Sequence, residues 1–69
     1  MIEVFKTNVQ NETDTTIIIK RIQEYFHDHQ INFDLEDCDK ILRIEANKIE
    51  SDKIIELLNI QNFECVKLE

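Results

Sequence analysis

The chain predicts an α+β fold, one four-stranded antiparallel sheet with two helices on one of its faces. Three observations carry that expectation. Strand-like alternation and helix-like spacing follow one another in the order strand, helix, strand, strand, helix, strand. The two strand–helix–strand halves are of similar length, although no residue repeat joins them. Glycine and proline are absent and no stretch is long enough to be a linker, so the 69 residues form a single domain, 1–69.

The first strand lies in "MIEVFKTNV", rich in β formers. A polar loop leads to "TTIIIKRIQEYF", where Ile18, Ile22 and Tyr25, with Ile19 and Phe26 beside them, recur at helical spacing. Asp14 or Thr13 is the expected N-cap, a side-chain oxygen placed to accept a free backbone N–H. After a "HDHQ" loop, "INFDLE" alternates Ile31, Phe33 and Leu35 with Asn32, Asp34 and Glu36, the period of a strand with one wet face. The turn "DCDK" joins it to "ILRIEA", completing a hairpin. Ser51 is the expected N-cap of "DKIIELLNIQ", whose Ile54, Ile55, Leu57 and Leu58 form one apolar stripe. Asn62 stands where a left-handed residue stops helices, and "FECVKLE" closes the chain as a strand. The expected core is Ile22, Phe26, Ile31, Phe33, Leu42, Ile44, Ile54 and Leu58.

Right-handed crossovers around a central hairpin fold this order into a ferredoxin-like βαββαβ sandwich with strand order 4-1-3-2 and both helices on one face. The loop after strand one, the turn after strand two and the entry to strand four then share one end of the sheet. "HDHQ" lies at the other.

With this element order, with Phe5 and Val9 in the first-strand apolar positions, and with Asn62-Phe63 where a Gly-Tyr pair is usual, the chain resembles the heavy-metal-associated domain of copper chaperones and metal-exporting ATPases. The likeness covers nearly all of the sequence. In that family a Met-x-Cys-x-x-Cys loop offers two soft thiolates to Cu(I) or Zn(II). Here Val9 takes the Met place, and Asn11 and Asp14 take the cysteine places. Amide and carboxylate oxygens are hard ligands, so the resemblance implies the family's loop with its metal site missing.

The formal net charge of −7 repels phosphate backbones, which disfavours nucleic acid and suits a basic protein partner. No apolar run approaches the roughly 18 residues of a membrane span, and no signal peptide opens the chain. A cytoplasmic location with no membrane insertion is expected, with Cys38 and Cys65 as thiols. The two cysteines sit on opposite outer strands, about 14 Å apart at three strand spacings, beyond the roughly 7 Å a disulfide tolerates. Cys65 is expected to pack in the core; Cys38 is expected to be exposed, its reactivity blunted by Asp37 and Asp39.

The candidate metal ligands are Asn11, Asp14, Asp37, Cys38 and Asp39, followed by His27 and His29 in a surface loop. The predicted topology gathers Glu12, Asp14, Glu36, Asp37, Asp39 and Glu64 at one end, a grouping that suits a hard cation or a basic docking partner. No EF-hand spacing, glycine-rich phosphate loop or Ser-His-Asp arrangement occurs, and no cofactor is implied. The expected function is therefore a non-enzymatic binding or adaptor domain, with self-association through a sheet edge as one mode. Cation handling through non-thiol ligands is the alternative.

Overall fold

The computed structural model describes residues 1–68, in the order β1 (Ile2–Thr7), α1 (Glu12–Tyr25), β2 (Gln30–Asp34), β3 (Ile41–Glu45), α2 (Ser51–Ile60) and β4 (Cys65–Leu68). All strand pairs are antiparallel and the sheet order is β2-β3-β1-β4, which is the neighbour sequence 4-1-3-2 seen from the β4 edge. This layout is compatible with a ferredoxin-like fold.

Register decides which residues meet. Phe5 lies opposite Leu42 and Lys67, Leu42 opposite Phe33, Ile44 opposite Ile31 and Glu3, and Thr7 opposite Cys65. Side chains alternate across a strand, so these residues share one face of the sheet. Phe5, Leu42 and Ile44 are fully buried there in one cluster with Ile18 and Ile22 of α1 and Ile54 and Leu58 of α2, which places both helices on that face. Each such side chain contributes on the order of 1.5–3 kcal/mol through apolar burial.

Two expected core residues lie further out. Phe33 and Phe26 are only partly buried, while Phe5 and Val9 are completely enclosed. Phe33 belongs to an edge strand whose outer side is uncovered, and Phe26 follows the end of α1 and stacks on His29 at a centroid distance of 4.7 Å.

Several boundaries differ from the sequence reading for identifiable reasons. The α1 cap is Asn11, not Asp14 or Thr13, because Asn11 Oδ1 accepts the Asp14 N–H at 2.9 Å and the helix begins at Glu12. Ser51 does not cap α2: Glu50 occupies that position without a side-chain cap bond, and the Ser51 hydroxyl donates to the Glu3 carboxylate. β1 ends at Thr7 and not at Val9, since the Thr7 hydroxyl donates to the Lys40 carbonyl at 2.6 Å and accepts the Val9 N–H at 3.3 Å, turning the chain. β2 stops at Asp34, whose carboxylate accepts the Glu36 N–H at 3.2 Å and starts a turn. Glu69, expected in the last strand, lies outside the described residues.

Asn62 does adopt the left-handed region, with φ 69°. Phe63 N–H donates to Leu58 O and Asn62 N–H to Asn59 O, both at 3.0 Å, which is the Schellman pattern of helix termination. Glu3 is buried among apolar neighbours yet satisfied, accepting from Ser51 at the start of α2 and facing the Lys67 ammonium at 3.3 Å.

Candidate functional site

The β1–α1 loop, the β2–β3 turn and the approach to β4 do meet at one end of the sheet. Thr7 N–H donates to Asp39 O at 3.1 Å, and Asn8 Oδ1 accepts the Glu64 N–H at 2.8 Å. Within this end Asp37, Cys38 and Asp39 have their ligand atoms within 4.8 Å of one another. Two of the three are already engaged: Asp37 accepts the Asp39 N–H at 2.8 Å, and Asp39 faces Lys6 at 3.6 Å. Asn11 and Asp14 do not join them, since the amide oxygen of the first holds the backbone of the second at the start of α1.

The two cysteines occupy different environments, both as free thiols. Cys65 is enclosed, and its burial pushes the thiol up to about 12 from an ordinary 9.0. Cys38 is exposed in the turn.

His27 and His29 do not form a pair of ligands in a surface loop. His27 Nε2 donates to the Glu24 carbonyl at 3.2 Å, meeting one of the free carbonyls at the end of α1. His29 is buried: its ring stacks on Phe26, its Nδ1 lies 2.9 Å from Asp28, and its Nε2 has no hydrogen-bond partner among the described residues. The contact with His29 holds the Asp28 carboxyl below its usual range.

Sequence reasoning left one sheet face uncovered by helices but missed the apolar group on it. Ile2, Val4, Ile41, Val66 and Leu68 belong to that face by alternation, together with Lys6, Arg43, Asp34 and Glu45. Its apolar members gather on β1 and β4, where Ile2 and Val66 are 60% and 59% exposed and Val4 pairs with Leu68. Its charges balance, two cations against two carboxylates, on a chain of net −7.

Two grooves flank the helices. One of about 280 Å³ lies between Tyr25 and Phe26 at the end of α1 and Glu50, Lys53, Leu57 and Ile60 on and beside α2. Another of about 390 Å³ runs between Glu12, Thr15 and Ile19 of α1 and the consecutive residues 31–36 of β2 and its continuation. No helix is long and apolar enough to cross a membrane among the described residues. Compared with family models, with curated proteins and with solved structures, the chain matches none.

Proposed function

We propose that the chain is a small non-enzymatic binding or adaptor module with a heavy-metal-associated-like fold, lacking the thiolate metal loop and docking a protein on its open sheet face in the cytoplasm. The observation that carries this reading is the apolar group of exposed Ile2, Val66 and Leu68 with half-buried Val4 on that face. Contiguous apolar surface of this kind, rimmed by charge, marks interaction sites. A local balance of charge there lets a second copy or another acidic protein approach with little of the repulsion that the rest of the acidic surface presents, and leaves a basic partner unhindered.

A second reading, cation handling through non-thiol ligands, draws on the close grouping of Asp37, Cys38 and Asp39. Native mass spectrometry of the folded chain with Cu(I), Zn²⁺ and Ca²⁺ separates the two readings. Stoichiometric retention of one ion, lost in the Asp37→Asn/Asp39→Asn variant, would replace the docking reading. The direct test is a photocrosslinking residue at Val66 in the source cells, with one at exposed Lys20 of α1 for comparison. Discrete protein adducts from Val66 and none from Lys20 are expected, whether the captured protein is a second copy or another chain. Equal or absent adducts at both positions would overturn the reading.

A further inference from the structure

We propose that the groove between α1 and the free edge of β2 binds an extended, basic peptide segment as an added strand. This builds on the reading of the chain as a binding module but concerns the β2 edge of the sheet, away from the exposed apolar residues of β1 and β4.

β2 pairs with β3 on one side only, so alternate backbone N–H and C=O groups along its other side are without strand partners. The groove follows that edge. It is lined by consecutive residues of β2, not by every second one, as a channel along a strand edge must be. Its other wall is the Glu12, Thr15 and Ile19 stripe of α1, residues spaced to share one helix face. Ile19, Phe33 and Leu35 are partly buried there and leave apolar surface for the side chains of an incoming strand. A free edge beside a groove that accepts alternate side chains is the arrangement used in recognition by strand addition.

Charge selects the occupant. Glu12, Asp34 and Glu36 line the groove, and no Lys or Arg does. None of these three carboxylates has a salt-bridge partner among the described residues. The nearby Lys40 ammonium is held by the Leu35 carbonyl at 2.9 Å. A second copy is a poor occupant, because pairing one β2 edge with another would bring the Asp34 and Glu36 carboxylates of two chains onto one seam. Phosphate backbones are repelled for the same reason. A segment alternating lysine or arginine with apolar residues satisfies the edge, the carboxylates and the apolar floor together. The five residues of β2 set the length of the paired stretch.

The test is an NMR titration of the ¹⁵N-labelled chain with the capped hexapeptide Lys-Val-Lys-Val-Lys-Val, with Glu-Val-Glu-Val-Glu-Val as its charge-reversed counterpart. The basic peptide is expected to shift the amides of β2 and of the Glu12 to Ile19 segment and to give backbone NOEs to β2. Its binding should weaken with salt. The Glu12→Gln/Glu36→Gln variant should bind about tenfold more weakly, from two exposed ion pairs lost. The Glu24→Gln/Glu56→Gln variant, which changes net charge equally away from the groove, should bind as the wild type does. Equal response to both peptides, no response at millimolar concentration, or equal weakening in both variants would overturn the proposal. Shifts confined to β1 and β4 would also overturn it, while leaving the open face as the docking surface. Crosslinking at Val66 tests that face separately, so each reading can fail alone.

Discussion

Cys65 and Cys38 place two identical thiols in opposite surroundings, and their chemistry separates accordingly. An alkylating reagent near neutral pH should modify Cys38 faster than Cys65, slowed though it is by Asp37 and Asp39, and Cys65 only as fast as the molecule opens, which mass spectrometry of the labelled chain over time would read. Fast labelling of both would show that the end of β4 is loose. Burial raises the Cys65 thiol from 9.0 to about 12, so the unfolded chain ionises first. The stability contributed by the neutral thiol is complete below 9 and is lost as pH rises toward 12. Over that window wild type should lose up to about 1.4 kcal/mol per pH unit more than Cys65→Ala. Denaturant melts at several alkaline pH values would measure the difference. The burial of Cys65 was legible in the sequence as a small apolar position in a strand. The burial of His29 was not, because imidazole is common in surface loops and only the stacking on Phe26 draws it inward.

The end of α2 shows what an element asks of one residue. Asn62 holds the left-handed turn that lets Phe63 and Asn62 bond back to Leu58 and Asn59. Glycine meets that conformation without a Cβ, so Asn62→Gly should leave stability unchanged or slightly raised. Asn62→Val should cost about 1–2 kcal/mol, measured by urea melts. A cost for glycine and none for valine would contradict the observed termination. Element types and the hairpin were legible because "INFDLE" and "ILRIEA" alternate cleanly with a period of two. The α1 cap was less so. "NETDTT" offers Asn, Thr and Asp in succession, all competent caps, and the choice of Asn11 depends on where the chain arrives after Thr7 closes onto Lys40. At the candidate site, the meeting of three acidic segments followed from strand order. The groove and the open apolar face did not, since the pattern that marks Phe33 as inward cannot say that α1 leaves the outer side of β2 bare.

At the scale of the whole molecule, the sheet ends in two unpaired strands, β2 and β4, on opposite sides. In polymer terms the chain is a bifunctional monomer. Growth requires only that one edge meet another, and the acidic charge acts as the inhibitor of that reaction. The inhibitor is removable by protons, because the formal net charge of −7 at pH 7 falls to zero near the isoelectric point of about 4.7. Light scattering and thioflavin fluorescence should therefore stay flat at pH 7.5 in low salt, rise with time near pH 4.7, and rise at pH 7.5 only once salt is added. The same carboxylates along β2 that would attract a basic segment would then also be the groups that keep copies of the chain from joining end to end.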